Sequence, residues 1–211
     1  MSEDYGQQST AIAADDILAD GFPLLAQRIT LAIASAATLA RGTVLGLVTV
    51  GAAVAAKVSG TGDGDVAAAA VTLGKYAQPG VYRLVCTAEA GNAGTFSVQT
   101  PTGQMLKPLT VAAAYTSDHI NLTVPDGAND WDIGDVITVT VAAGSGEAKA
   151  YSAAAVDGSQ VAALILADTV AVGEAAVPAV AYRTGVFRRA KLTGLDAAAV
   201  AQLDARSIFV R

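Results

Sequence analysis

Asp157-Gly158-Ser159-Gln160-Val161-Ala162-Ala163-Leu164-Ile165-Leu166-Ala167 is the stretch whose reading decides the fold. It reads as a turn at Asp157-Gly158 between two strands, Tyr151–Val156 and Val161–Ala167. Downstream, Val177-Pro178 leads into Ala179–Thr184, Gly185 breaks that strand, and Val186–Leu192 continues it. Upstream, the same compact-domain pattern is found only before Val50, in Leu39-Ala40-Arg41-Gly42-Thr43-Val44-Leu45-Gly46. Between the two pieces lies a stretch with strand and hairpin signals of its own. A domain with a second domain inserted into one of its loops is the simplest reading, because loop tips tolerate insertions.

The expected boundaries are a flexible N-terminal arm at 1–27, a discontinuous outer domain at 28–50 and 147–211, and an inserted domain at 51–146. The arm carries Glu3, Asp4, Asp15, Asp16 and Asp20 and no Lys or Arg, and its scattered apolar residues cannot form a core alone. Phe22-Pro23 marks where structure begins, with strands at Ile29–Ile33 and Thr43–Val50 around the small-residue stretch Ala34–Ala40. The insert opens on Ser59-Gly60-Thr61-Gly62-Asp63-Gly64-Asp65, a flexible turn. Period-two alternation follows at Val81–Cys86, Thr95–Gln99, Ile120–Val124 and Ile137–Val141, bounded by Gly, Asn, Asp and Pro clusters. The pattern predicts a small antiparallel β-sandwich. Near the C-terminus, Thr193-Gly194-Leu195-Asp196 has capping-box spacing and opens a helix over Ala197–Arg206, with Ser207–Val210 as a last strand. The fold class is mainly β with one short C-terminal helix.

Composition excludes several functions. Charged residues make up 15% of the 211 residues and the net charge is −6, which argues against a nucleic-acid binder needing clustered Lys and Arg. Arg41 divides the apolar run 29–56 into pieces shorter than the roughly 20 residues of a spanning helix, so no membrane segment is expected. An acidic N-terminus lacks the positive charge of a signal peptide, and the chain reads as soluble and unexported. Cys86 is alone, so no intrachain disulfide exists; a small buried side chain on a strand is its reading.

Taken in order, Ala40-Arg41-Gly42-Thr43-Val44-Leu45-Gly46, Asp157–Leu166, Tyr182-Arg183-Thr184-Gly185-Val186-Phe187 and the final helix with Ser207-Ile208-Phe209-Val210 resemble the lambda-type head decoration proteins of tailed bacteriophages. The resemblance covers most of 28–50 and 151–211, and the middle region departs from the smaller members. It implies a homotrimer that binds the major capsid protein on the outside of an expanded head and stabilises it, in a virion assembled from protein made in the host cytoplasm. It also implies an N-terminal arm that orders by pairing with coat strands. Ile12, Ile17 and Leu18 are then the candidate capsid-binding residues. Rival readings are an adhesive module whose insert contacts a host surface or glycan, and another phage structural subunit such as a tail-tube or coat component.

Catalytic patterns are thin, and neither an enzyme, a cofactor nor a metal is expected. His119, the only histidine, lies in Ser117-Asp118-His119 without a nucleophile elbow. Gly60-Thr61-Gly62-Asp63-Gly64 lacks the Gly-Lys-Ser/Thr ending of a phosphate loop. Asp126, Asp130, Asp132 and Asp135 miss the calcium-loop pattern, since Val141 stands where Glu is required. Trp131 reads as a core or edge anchor. From residue 180 on there are six basic and two acidic residues. Arg183, Arg188 and Arg189 in that region, with Arg41 inside its apolar strand, are the candidate subunit-interface residues. A buried Arg41 needs a carboxylate, carbonyls or a subunit boundary to meet it.

Overall fold

The apolar run at Ala162–Leu166 becomes a strand buried along its whole length, and one of the two main sheets is arranged around it. The computed structural model describes residues 17–19, 23–32, 37–67, 69–173 and 175–211. In chain order the strands are β1 (Leu25–Leu31), β2 (Ala37–Leu39), β3 (Val44–Leu47), β4 (Val50–Ser59), β5 (Thr72–Leu73), β6 (Gly80–Ala88), β7 (Thr95–Gln99) and β8 (Met105–Thr110). They continue with β9 (Ile120–Asn121), β10 (Val136–Ala143), β11 (Ala148–Ala150), β12 (Ala162–Leu166), β13 (Val170–Val172) and β14 (Val177–Phe187). Helix α1 (Ala197–Asp204) and strand β15 (Ile208–Val210) end the chain. The protein is mainly β with one short C-terminal helix.

The first sheet runs β1-β11-β3-β12-β14, and β1 also pairs antiparallel with β14 from Leu25↔Thr184 to Leu31↔Val177. That second pairing closes a five-stranded barrel, and β15 adds in parallel at Gly185–Phe187. Leu31, Leu45, Ala148, Leu164, Leu166 and Ala181 form one core. Small barrels fill their interiors with side chains, which gives the many alanines a role. On the other side of the same strands, Val44, Ile165, Phe187 and Ile208 pack with Ala199 and Leu203 of α1. Strand β12 is therefore covered on both faces, the reason its sequence is continuous rather than alternating.

The local sequence reading needs correction at several points of this sheet. Tyr151–Val156 is not a strand: Tyr151 N–H donates to Val44 O, its hydroxyl donates to Asp196 (3.0 Å), and the chain then turns at Ser152–Ala155. Gly185 does not break β14. At φ +144° it lets the Phe187 ring and Leu24 pack where a Cβ would sit, 3.0 and 2.9 Å away. The strand ends at Phe187, and Arg189–Lys191 forms a 3-10 turn instead of extending it. Thr193 does not cap the helix; the Asp196 carboxylate does, accepting from Ala199 N–H at 2.6 Å. Strand β1 begins at Leu25, ahead of the expected first strand Ile29–Ile33, whose Ile33 lies outside the described residues.

The second sheet is antiparallel in the order β4-β10-β6-β7-β8. Alternation puts Ala55, Tyr82, Leu84, Cys86, Phe96, Val98, Leu109, Ile137, Val139 and Val141 on one face. The layer facing them consists of the β5–β9 pair and the loops carrying Val66, Val111, Leu122, Val124 and Trp131. Only Ile120–Asn121 of the expected strand Ile120–Val124 is regular, and Leu122 forms an isolated bridge with Tyr115. The expected strand Thr43–Val50 divides between the sheets: Val44–Leu47 belongs to the barrel, and Val50 opens β4.

The chain passes between the sheets twice, side by side. Val48 N–H donates to Glu147 O, Gly146 N–H to Val48 O and Gly144 N–H to Thr49 O, at 2.9, 2.9 and 3.0 Å. The turn Asp157–Gln160 clasps this crossing. Asp157 O accepts from Thr49 and Val50 N–H, and its carboxylate accepts from Lys149 Nζ (2.8 Å) and from Ser159 N–H and Oγ. Gly158, at φ +108°, is required there, since a Cβ would lie 2.2 Å from Thr49 Oγ1. Gln160 Nε2 reaches Lys75 O on the second sheet's side at 2.9 Å.

Burial raises the Asp157 pKa, but the Lys149 and Ser159 hydrogen bonds outweigh it and hold the group at about 2, below its ordinary 3.8. A depressed carboxylate contributes stability that is complete above the unfolded pKa and is lost as pH falls through the folded one. Hydrogen exchange at Thr49 and Val50, corrected for intrinsic rates, is therefore expected to show protection falling between pH 3.8 and about 2. Asp157→Asn should flatten that dependence; an unchanged profile in the variant would remove Asp157 as its source.

Candidate functional site

The described chain starts at Ile17, and Ile17 is not free. It is 2% exposed, in the cluster of Phe187, Leu203 and Ile208, and a Cβ on Gly42 would touch its Cδ1 at 3.2 Å. Arg188 N–H donates to Ile17 O and Ala19 N–H to Val186 O, both at 2.9 Å. Leu18 bridges Phe187, and Arg188 Nε donates to Leu18 O at 3.1 Å. Ile17 and Leu18 thus root the N-terminal segment on the end of β14, because this chain's own core holds a buried seat for Ile17. Ile12 lies outside the described residues. The sequence offered no local signal for this seat, since an isolated Ile in acidic surroundings looks like any other.

The basic residues separate into two groups. Arg188 stands at the root just described, and Arg189 N–H donates to Arg211 O at 2.6 Å beside it. Arg183 and Arg206 instead line a recess of about 400 Å³ with Gln27, Leu47, Ala163 and Leu164. Arg41 is half-buried and donates from Nε to Ala167 O at 2.9 Å, so a carbonyl meets the charge that the sequence left open. Its backbone N–H reaches Thr169 Oγ1 at 3.1 Å.

In the second sheet the polar clusters are structural. Ser117 Oγ donates to Ile120 O and accepts from His119 and Ile120 N–H, which makes Ser117-Asp118-His119 a turn and not a relay. His119 is 9% exposed and its Nδ1 lies 3.3 Å from Tyr82 Oη. Asp135 accepts from Gly62, Thr61 and Asp132 N–H, Asp132 from the Thr61 hydroxyl, and Asp130 from Asn92 N–H. The Gly60–Gly64 stretch is therefore a loop wrapped on Asp135. Cys86 is buried, and burial pushes its thiol pKa up. Among the described residues, no group of acids, histidine and cysteine is arranged to hold a metal, and no helix is long and apolar enough to cross a membrane.

A family model described as bacteriophage lambda head decoration protein D matches residues 95–208, just over half of the chain, from β7 through the start of β15. No curated protein matches. Two crystal structures of FlgL from Xanthomonas campestris are similar over 50% of this chain at 13% identity, with TM-scores of 0.31 and 0.30. The chain spans about a third of their length, 34% and 33%. Agreement at that level carries no argument.

Proposed function

This chain belongs to the bacteriophage lambda head decoration protein D family, and from that premise we propose that it binds as a homotrimer to the outside of an expanded phage head and stabilises it. The family is structural, and the proposed work is interface formation with the major capsid protein, with no bond made or broken. We further propose that 51–146 is an inserted module, with 28–50 and 147–211 as the decoration domain. Adjacent crossings at Val48–Thr49 and Gly144–Glu147 support this division, because an inserted unit leaves and returns at one place.

The observation that carries the mechanism is the root at Ile17–Ala19. It fixes the point from which residues 1–16 depart, next to Arg188 and Arg189. Those sixteen residues would pair with coat strands, where main-chain hydrogen bonds give affinity and alternate side chains, Ile12 among them, give register. Three such arms on one trimer add through effective concentration. Arg41, Arg183, Arg188 and Arg189 remain the proposed subunit or coat contacts.

Light scattering at low salt and micromolar concentration should give three times the chain mass. The protein should sediment with expanded heads lacking it and raise their resistance to heat. A version with Gly51–Gly144 replaced by a short Gly/Ser linker should still do both. A monomer, or a trimer that leaves the heads unbound, would overturn the reading; loss of folding on excision would overturn only the inserted-module division.

A further inference from the structure

We propose that β4 pairs edge to edge with β4 of a second copy of this chain, antiparallel and centred on Val54. Among the described residues, strand β4 is the terminal strand of the second sheet, with β10 on one side only. Ala52, Val54, Ala56, Lys57, Val58 and Ser59 are exposed, Val54 by 62% and Val58 by 61%. A long, apolar, open edge is a template for another strand, and proteins usually guard such edges with Pro, with outward Lys or with a cover.

The two edges of this sheet differ in that respect. The opposite edge, β8, is short and carries Pro108, which has no N–H to offer, beside the exposed Lys107. Strand β4 has no Pro. Its one charge, Lys57, is turned inward: Nζ donates to Gly62 O and stands 5.8 Å over the Trp131 ring. The residue that should guard the edge is engaged elsewhere.

The identity of the occupant follows from the sequence of the strand. Ala52-Ala53-Val54-Ala55-Ala56 is its own mirror image, with Val50 and Val58 continuing the symmetry. A two-fold axis at Val54 sets Val54 against Val54, Ala52 against Ala56 and Ala53 against Ala55. The single unlike pair is Gly51 with Lys57, so each Lys57 stands opposite a residue without a side chain, and like charges are never directly opposed, which would destabilise the pairing. The symmetric register also keeps like faces together. Val54 is level with Thr140 and Val81 across its own sheet, and Ala56 with Thr138 and Arg83. These rows would continue into the second copy, giving one sheet of ten strands with an isologous interface. The pairing does not depend on the trimer reading: it joins a monomer into a dimer, and a trimer, through its three edges, to one second trimer. At net charge −6 the copies repel at long range, so association should strengthen as salt rises.

The test uses the full chain with Cys86→Ala, which leaves no other thiol. Directly opposed antiparallel residues have Cα atoms about 4.5–5.5 Å apart, within disulfide reach. Val54→Cys should oxidise to a two-chain species in high yield. Ala56→Cys alone should not, while Ala52→Cys with Ala56→Cys should. Separately, Val54→Lys sets two ammonium groups against each other at a site already 62% exposed, where the change costs the fold little. Sedimentation at moderate salt should show the wild type in equilibrium with a species of twice the unit mass, weakened at least tenfold in this variant. Equal cross-linking from positions 54 and 56, or no doubling that Val54→Lys can reverse, would overturn the proposal.

Discussion

Trp131→Ala is expected to destabilise the second sheet by about 3–5 kcal/mol while leaving the barrel intact. The ring is 1% exposed and stands edge-on to Phe96, centroids 5.5 Å apart at 77°. Gly62 lies flat against it, where a Cβ would come within 2.4 Å of Cδ2, and Nε1 donates to Pro125 O at 3.1 Å. Removing the ring therefore opens a cavity, leaves the Pro125 carbonyl without that donor and frees two loops that are folded around it. Collapse cannot repair the site cheaply, because the surrounding contacts are main-chain segments held by Asp132 and Asp135. No residue of the second sheet's core belongs to either barrel cluster. Amide exchange in β6, β7 and β10 should accelerate by roughly two to three and a half orders of magnitude, at about 1.4 kcal/mol per tenfold, with β12 and β14 unchanged. Equal acceleration in both sheets would mean one cooperative core.

Sequence reading succeeded where the determinants are local. The alternation in Val81–Cys86, Thr95–Gln99 and Ile137–Val141 survives as β6, β7 and β10, because each strand has one covered face and neighbours in register. Ala162–Leu166 was legible as a strand from its turn and its apolar run. What escaped depends on partners far along the chain. The domain boundary was read after Val50 with one strand running Thr43–Val50, yet the chain changes sheets at Val48–Thr49, because Asp157 O takes the amide protons of Thr49 and Val50. Tyr151 leaves the extended path toward Asp196, 45 residues away. Met105–Thr110 contains a Pro and was passed over, although edge position is where a strand tolerates one. Barrel closure by β1 and β14 is likewise invisible until both strands are placed.

The candidate site divides along the same line. Arg41's need for an acceptor was legible from the cost of burying charge, and Ala167 O meets it. The root at Ile17 was not, since its seat is assembled from β14, α1 and β15. The root fixes residues 17–19 against the end of β14.

Deletion of residues 1–16 should leave the fold and assembly state unchanged, because Ile17 and residues after it supply the barrel clusters described above. Affinity for expanded heads should fall at least a hundredfold. Each arm would lose main-chain pairing and the burial of Ile12, worth roughly 1.5–3 kcal/mol for a fully buried side chain. Ordering costs of about 1–2 kcal/mol per fixed residue offset most of that gain, so one arm alone binds weakly. In the proposed trimer three arms would multiply small net terms, and the measured loss should therefore be far larger than one arm's share. Ile17→Ala separates the root from the arm. It empties a buried seat at a cost of about 2–5 kcal/mol, most of it confined to docking of the root, and leaves the pairing sequence in place. Binding should weaken less than on deletion, since a longer tether lowers effective concentration only slowly. If the truncated protein binds heads as tightly as the intact one, strand addition is wrong and attachment must come from the barrel, with Arg183 and Arg206 at its recess the next residues to change.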